Sequence, residues 1–227
     1  MEALAAQLGA TFLAALPEEE RRALLACGTV RMWPRGTALF HERQASDRVI
    51  VIRRGRVKLV AMTEEGREVL LAIAGPGDVV GELSALDGRP RSATAFAVDE
   101  VEAVTVPPED LVSLLEGSPQ ASLAVVRQLA SRLRDADRKR VEFAAHDSVG
   151  RVAARLVELC ERFGAQDPDG NTYIDLPLSQ DEMAGWVGSS RESVAKALQT
   201  MRRAGWVVTD RRAITVLDLD SVRRRAV

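Results

Sequence analysis

The N-terminal half of the chain changes its hydrophobic pattern once, near residue 29. Residues 1–28 place apolar side chains at helical spacing, and Pro17 begins a second short helix. Residues 29–106 instead contain short runs rich in valine and isoleucine, separated by turns that contain glycine or proline. Four of these runs span 49–52, 57–60, 69–73 and 101–106. Strands this short at such regular spacing predict an antiparallel roll or barrel.

The pattern from Pro107 onward is helical again, and its main feature is one long helix. Ser118 followed by Pro119 predicts the start of this helix, which continues to about Ala145 without glycine or proline. A helix of about 27 residues spans roughly 40 Å. Its apolar side chains recur at heptad-like spacing: Val126, Leu129, Leu133, Ala136 and Phe143. So narrow a stripe on so long a helix favours a two-stranded coiled coil over packing on its own domain, and predicts a dimer.

The segment 178–201 has the pattern of a helix-turn-helix. Ser179 with Glu182, and Ser189 with Glu192, each form the capping box S-x-x-E that begins a helix. Gly188 lies between the two helices, where its freedom at positive φ permits a tight turn. Asp147 predicts the cap of a preceding helix, Ser148–Phe163, and the hinge between the two halves of the chain is expected near residues 143–147.

The second helix of this motif has one apolar and one polar face. Val194, Ala197, Leu198 and Met201 share the face expected to pack inward. Arg191, Glu192 and Lys196 therefore point outward near the helix N-terminus, where a recognition helix presents side chains to the major groove. Apolar runs at 207–208 and 214–216 predict a β-hairpin, the wing of a winged helix. The predicted DNA contacts are Ser179, Ser190, Arg191, Glu192, Lys196 and Arg202.

Charge and composition change this interpretation only locally. The formal net charge of −2 argues against attraction of the whole molecule to nucleic acid. Residues 189–212, however, carry six basic and two acidic side chains, a local net charge of +4 that suits phosphate binding. The two cysteines lie far apart and have no metal-ligand spacing, and two histidines offer little for acid–base chemistry. We therefore expect no metal and no enzymatic activity. The sequence has no apolar stretch of about 18 residues and no signal-peptide pattern, so we expect a cytoplasmic protein with no membrane partner.

Two short motifs in the β-region carry candidate binding chemistry. Gly81-Glu82-Leu83-Ser84 combines a glycine that lets a ligand approach the backbone with a carboxylate that can accept from a ribose 2′-hydroxyl. Arg91-Ser92-Ala93-Thr94 offers a guanidinium and a hydroxyl that can hold a phosphate. Each motif alone is weak, because a solvated Arg91 and an exposed Glu82 are the ordinary state of such residues.

The order of these motifs along the chain resembles the cyclic-AMP receptor protein (CRP/FNR) family of bacterial regulators. The sequence GELS, a short loop, RSAT, a long helix and then SRESVAK follow one another as in that family, from Phe12 to about Asp220. The resemblance implies that Gly81 and Glu82 contact the ribose and that Arg91 and Ser92 contact the cyclic phosphate. It also implies that Arg191, Glu192 and Lys196 contact DNA bases, although many family members have arginine at the last position.

The chain departs from the family pattern on the long helix. Cyclic-AMP sensors of the family often place a Thr-Ser pair there to hydrogen-bond adenine, and that pair falls here on Ala136 and Asp137. Ala136 cannot make such a bond, whereas an ionised Asp137 could accept two bonds from guanine or simply face solvent and pair with a neighbouring arginine. Because cyclic AMP is the common ligand of the family that the chain resembles, it is the first expectation, with cyclic GMP, or no effector, as alternatives.

The sequence thus predicts an α+β fold in three parts. Residues 1–117 form N-terminal helices and a cyclic-nucleotide-binding β-roll of the jelly-roll type, 118–146 a long dimerisation helix with a hinge, and 147–227 a winged helix-turn-helix. The expected function is a homodimeric, sequence-specific transcription regulator controlled by a cyclic nucleotide. Its expected partners are pseudo-palindromic double-stranded DNA and RNA polymerase. The expected ligand contacts are Gly81, Glu82, Leu83, Arg91, Ser92, Ala136 and Asp137.

Overall fold

The computed structural model describes residues 11–175, 178–210 and 213–226. The chain divides into two compact units, one ending at Leu133 and the other beginning at Arg134. The boundary falls inside a single long helix, Pro119–Ala145. The predicted hinge segment, 143–147, lies within the second unit.

The first unit is a β-roll of two antiparallel four-stranded sheets, as the valine-rich pattern predicted. One sheet has the order β1-β8-β3-β6 and the other the order β2-β7-β4-β5. The strands are β1 (Thr29–Trp33), β2 (Ala38–Phe40), β3 (Val49–Arg54), β4 (Val57–Met62), β5 (Glu68–Ala74), β6 (Val79–Val80), β7 (Thr94–Ala97) and β8 (Val101–Val106). Helices α1 (Phe12–Ala15) and α2 (Glu18–Ala26) precede the sheets, α3 (Glu82–Asp87) lies between β6 and β7, and α4 (Pro108–Gly117) and α5 (Pro119–Ala145) follow.

Two apolar clusters hold the roll together, one on each side of strand β3. Consecutive side chains of a strand point to opposite faces, and all four of Val49, Ile50, Val51 and Ile52 are at most 1% exposed. Val49 and Val51 pack with the helices α1, α2, α4 and the start of α5, whereas Ile50 and Ile52 face the second sheet. A strand buried on both faces explains why this run is continuously apolar rather than alternating.

Several elements of the roll have little signal in the sequence. Strand β1 exposes Val30 and Met32, so it lacks the alternation of a half-buried strand. Strand β6 is only two residues long, which is too short for any pattern. Helix α3 begins directly after Gly81, at the glycine-glutamate pair that the sequence analysis interpreted as a ligand contact and not as a helix start.

The second unit contains the end of α5 and the predicted winged helix-turn-helix. Its helices are α6 (Ser148–Phe163), α7 (Gln180–Val187), α8 (Arg191–Arg203) and α9 (Leu219–Arg225). Its sheet has the order β11-β12-β10-β9, from β9 (Ala165–Gln166), β10 (Thr172–Ile174), β11 (Val207–Thr209) and β12 (Ile214–Val216). Asp147 caps α6 by accepting from the backbone N–H of Gly150, as predicted.

One predicted cap is wrong by a residue. Helix α8 begins after Ser190, whose hydroxyl accepts from the backbone N–H of Ser193 at 3.2 Å. Ser189 instead directs its hydroxyl to that of Ser148, 2.9 Å away. The prediction chose Ser189 because it lies three residues before Glu192, as the S-x-x-E motif requires. The observed cap is the adjacent Ser190, only two residues before Glu192.

None of the helices within the described residues combines the length and the apolar character needed to cross a bilayer.

Candidate functional site

A pocket opens on the first unit where helix α3, the segment before β7 and helix α5 come together. Its volume is about 300 Å³, including space open to solvent. Gly81, Glu82, Leu83, Arg91 and Ser92, which were predicted as ligand contacts from two separate motifs, all line it. Its other lining residues are Phe40, Leu59, Ser84, Ala93 and Arg132.

Gly81 shapes one wall of this pocket because its backbone adopts a left-handed conformation. Its φ is 83°, and it immediately precedes the first residue of α3. Its carbonyl oxygen accepts from Nη1 of Arg91 at 2.8 Å. A Cβ atom at this position would collide with the same Nη1, so the close approach of Arg91 requires glycine here.

Arg91 is almost completely buried, with 2% of its surface exposed. Its Nη2 donates to the carbonyl oxygen of Arg48, and its guanidinium lies over the Phe40 ring, 4.4 Å from the centroid. Its Nε is buried and finds no acceptor among the residues described. Burial lowers the pKa of Arg91, and the carboxylate of Asp47, 3.6 Å from Nη2, acts in the opposite direction. A buried guanidinium with a free donor is a suitable site for an anionic oxygen.

Glu82 lies in the first turn of α3 and is also buried, with 2% of its surface exposed. Its carboxylate pairs with Nη1 of Arg132 on α5. Nη2 of Arg132 donates to the carbonyl oxygen of Val79 at 2.8 Å. Desolvation raises the pKa of Glu82, and the positive charge of Arg132 opposes this change. Glu82 thus provides the pocket with an acceptor that is held in place by the long helix.

The pocket therefore offers a buried cation with an unsatisfied donor, Arg91, and an acceptor, Glu82, that is paired with the second lining arginine, Arg132, which suits a ligand that carries both an anion and a hydroxyl. Arg91 and Glu82 are both buried, so the ordinary solvated state of such residues does not apply to them. Leu83 and Ser92 are exposed at the edge. Arg132 was not identified from the sequence, because it lies far from both motifs among many arginines and no spacing marks it.

Ala136 and Asp137 lie on α5 within the second unit, and both are exposed. The Asp137 carboxylate lies 3.4 Å from Nη1 of Arg140, three residues further along the helix. This is one of the arginine pairings that the sequence left open for Asp137. The contact of Ala136 and Asp137 with a ligand stays a prediction.

The second candidate site is the helix-turn-helix formed by α7 and α8. Ser179 caps α7 in a complete capping box, accepting from the backbone N–H of Glu182 while the Glu182 carboxylate accepts from the Ser179 N–H. Gly188 ends α7 with φ 58°, and a Cβ there would lie 2.5 Å from Cε2 of Phe143. The turn thus packs directly against the side chain of Phe143.

Helix α8 has the predicted inward and outward faces. Val194, Ala197, Leu198 and Met201 are buried. Arg191, Glu192 and Lys196 are exposed on the opposite side, with Nη1 of Arg191 only loosely paired to the Asp181 carboxylate at 3.7 Å. A hydrogen bond from its own backbone N–H, followed by one from the Ser190 hydroxyl, lowers the pKa of Glu192, and as a carboxylate it can only accept hydrogen bonds.

Arg202 lies at the other end of α8, where it contacts the wing strand β11. Its Nη1 donates to the hydroxyl of Thr209 at 3.2 Å, while most of the residue stays exposed. Arg211 and Arg212, which contribute to the local positive charge, lie outside the described residues. The described part of this surface presents exposed basic side chains next to a helix of groove-binding shape.

No three histidine, cysteine, aspartate or glutamate side chains within the described ranges are placed to hold a metal ion together.

Comparison with known proteins identifies both units. The family model of the cyclic nucleotide-binding domain matches residues 30–118, and that of the Crp-like helix-turn-helix domain matches residues 150–225. The CRP-like cAMP-activated global transcriptional regulator of Mycobacterium tuberculosis is 38% identical over 194 residues, which is 86% of each chain. The global nitrogen regulator of Synechococcus elongatus is 31% identical over 192 residues, 83% of this chain and 86% of the relative.

The fold gives the same result. A solved CRP-family transcriptional regulator of Thermus thermophilus superimposes with a TM-score of 0.73 at 27% identity, covering 86% of this chain and 96% of the other. These proteins are transcription regulators rather than enzymes. With its cyclic-nucleotide-binding domain and its Crp-like helix-turn-helix, the chain belongs to the CRP/FNR family of transcription regulators.

Proposed function

We propose that this regulator is a homodimer that binds a pseudo-palindromic DNA site under the control of a cyclic nucleotide, with cyclic AMP as the first choice. The observation that carries the proposal is the state of Arg91, a nearly buried cation whose Nε has no acceptor among the described residues. A buried donor without a partner costs about 1–3 kcal/mol, and a cyclic phosphate would satisfy it.

The groups of the pocket match the parts of a cyclic nucleotide. The cyclic phosphate is a monoanion and fits Arg91 with Ser92, at a wall where Gly81 leaves room. The ribose 2′-hydroxyl would donate to the buried carboxylate of Glu82. Leu83 is exposed at the edge of the pocket and offers an apolar surface to the ligand.

The identity of the base is less constrained than the phosphate site. The cAMP-activated regulator of M. tuberculosis supports cyclic AMP. Ala136 and Asp137 stand where the family resemblance would place the base-contacting pair, and an ionised Asp137 would favour guanine. Control without a small-molecule effector is a further alternative, because Ala136 cannot make the hydrogen bond to a base that the family pattern expects at this position.

Exposed apolar side chains on the long helix support the dimer. Leu123, Val126 and Leu133 are 46%, 58% and 63% exposed on α5, and their spacing of three and seven residues places them on one apolar stripe, as at an interaction surface. Leu129, which was predicted for the same stripe, packs partly against the core of the roll. Pairing two such helices would bury these side chains in a coiled coil.

A two-fold dimer of this kind would place two α8 helices in successive major grooves. The half-sites would then lie roughly 10–11 bp apart. Arg191 would contact a guanine, Glu192 and Lys196 would contact neighbouring bases, and Ser179, Ser190 and Arg202 would contact the backbone. RNA polymerase is the partner expected for a regulator bound beside a promoter.

Titration calorimetry of the full-length protein with cyclic AMP and cyclic GMP tests the effector. Wild type should bind at least one of them, and Arg91→Leu should bind neither, because Arg132, the other arginine of the pocket, is already paired with Glu82. Arg56→Leu is the matched control, since Arg56 is a half-buried arginine of the roll, paired with Asp99 at 2.5 Å and absent from the pocket wall. It should retain binding while circular dichroism reports the fold of both variants.

Footprinting then tests the regulator itself. Symmetric protection that strengthens with the nucleotide supports the full proposal. Symmetric protection with no heat from either nucleotide favours regulation without an effector. Absence of symmetric protection, with or without nucleotide, contradicts the proposed DNA recognition.

A further inference from the structure

The carboxylate of Asp47 lies between two guanidinium groups at the edge of the pocket. Nε of Arg48 donates to both Asp47 oxygens at 2.9 Å, and Nη2 of Arg48 also contacts the carboxylate. Oδ1 of Asp47 is also 3.6 Å from Nη2 of Arg91. Asp47 therefore interacts with the arginine that we assign to the phosphate, although it is not part of the pocket wall.

Asp47 is a counter-charge of Arg91. The hydrogen bonds of Arg91 go to neutral carbonyl oxygens, those of Gly81 and Arg48, and its stacking partner is the neutral Phe40 ring. Of the carboxylates in the described residues, that of Asp47 is the one within ion-pair distance of Arg91. A buried charge is costly unless it is paired, so Asp47 stabilises Arg91 before any ligand arrives.

The same carboxylate must oppose a phosphate. A cyclic phosphate brings a second negative charge to Arg91, within a few ångströms of the first, and like charges at that separation repel. The Asp47 side chain is 56% exposed and lies closer to Arg48 than to Arg91, so it can move away from Arg91 without losing its stronger partner.

We propose that Asp47 is a resident counter-anion of the effector pocket, which competes with the phosphate for Arg91 and so sets the effector concentration at which the regulator responds. This inference rests on the proposed function, because it assigns the phosphate to Arg91. A competing role and a positioning role predict opposite changes in effector affinity when Asp47 is removed. If Asp47 merely holds Arg91 in place, its removal weakens effector binding, whereas removal of a competitor strengthens it.

Arg48 has the opposite role. Its guanidinium hydrogen-bonds the Asp47 carboxylate and so competes with Arg91 for it, while its backbone carbonyl accepts from Nη2 of Arg91. Arg48→Gln should let Asp47 pair more closely with Arg91 and so weaken effector binding. In the double variant with Asp47→Asn, there is no carboxylate left to free, so the loss caused by Arg48→Gln should largely disappear.

The test is calorimetric titration of the full-length chain with cyclic AMP. Asp47→Asn should bind about tenfold more tightly than wild type, and this ratio should fall as salt rises, because Asp47 is exposed enough to be screened. Asp99→Asn is the control, because Asp99 is also an ion-paired aspartate of the roll, held by Arg56 away from the pocket. Its affinity should match wild type. Unchanged or weaker binding by Asp47→Asn overturns the inference and leaves the proposed function standing.

A second probe separates the two proposals. Inorganic phosphate should raise the melting temperature of Asp47→Asn more than that of wild type or Asp99→Asn, because it needs only the anion site. If cyclic AMP binds neither protein but phosphate gives this order, the counter-anion role stands and the effector assignment fails. If phosphate gives no difference and cyclic AMP binds both proteins equally, the counter-anion role is wrong.

Discussion

Arg155 and Glu142 form a buried ion pair, with Nη2 of Arg155 2.5 Å from Oε2 of Glu142. Glu142 lies near the end of α5 and Arg155 in the middle of α6. The Arg155 side chain is 4% exposed, and its Nη1 also contacts the Glu158 carboxylate at 2.7 Å. Its guanidinium lies over the ring of Trp186 in α7, 5.7 Å from the centroid. Within the second unit, the final turns of the long helix are therefore fixed to the helix-turn-helix.

Glu142→Ala should destabilise this unit by about 3 kcal/mol, because it leaves Arg155 buried with only Glu158 to pair with. Chemical denaturation followed by circular dichroism measures the free energy of unfolding. Glu161→Ala is the control, since Glu161 pairs with Arg223 at 3.4 Å on the surface, where such a pair contributes at most about 1 kcal/mol. Equal losses in both variants would contradict a special role for the buried pair.

Gly81→Ala should weaken cyclic-nucleotide binding at least tenfold, or by ~1.4 kcal/mol. Its Cβ would displace the Arg91 guanidinium, and its φ of 83° would add backbone strain. Gly170→Ala separates these causes, because Gly170 has φ 84° but open space around its Cβ position. We expect Gly170→Ala to retain the affinity of wild type in calorimetry. A comparable loss of affinity in Gly170→Ala would show that backbone strain, and not the displacement of Arg91, explains the weaker binding of Gly81→Ala.

Arg191→Ala should cost ~1–3 kcal/mol of DNA binding and relax specificity at one base pair. Arg202→Ala should instead weaken binding to all sequences alike and reduce the salt slope by about 1, as loss of a phosphate contact does. Binding of each variant to a set of operators with single base-pair changes measures both effects. If Arg191→Ala weakened binding to all operators equally, Arg191 would contact the DNA backbone and not the bases.

Asp137→Ser should shift the affinity ratio toward cyclic AMP by about tenfold if Asp137 faces the base, because a serine hydroxyl can both donate and accept. Asp135→Ser is the control on the same helix, where Asp135 pairs with Arg138. Titration of both variants with cyclic AMP and cyclic GMP gives the ratio. An unchanged ratio would assign Asp137 to its pairing with Arg140 and end the guanine alternative.

The sequence predicted the parts of the site that are contiguous. Gly81 with Glu82, and Arg91 with Ser92, are neighbours in the chain, so each motif carries its own chemistry. Phe40, Asp47 and Arg132 reach the same place only through the pairing of distant strands and the packing of α5, which no local spacing records. The roll was predicted from its buried valine runs, whereas β1 and β6 were missed because one is largely exposed and the other is two residues long.

Arg132 is at once a wall of the pocket and a residue of the long helix. Any change of the helix that moves its guanidinium also changes the partner of Glu82. Coupling free energies are reciprocal, so a cyclic nucleotide that raises the affinity for DNA must itself bind more tightly, by the same factor, once DNA is bound. Regulators already seated on their operators would then retain the nucleotide as its concentration falls, and those free in solution would lose it first.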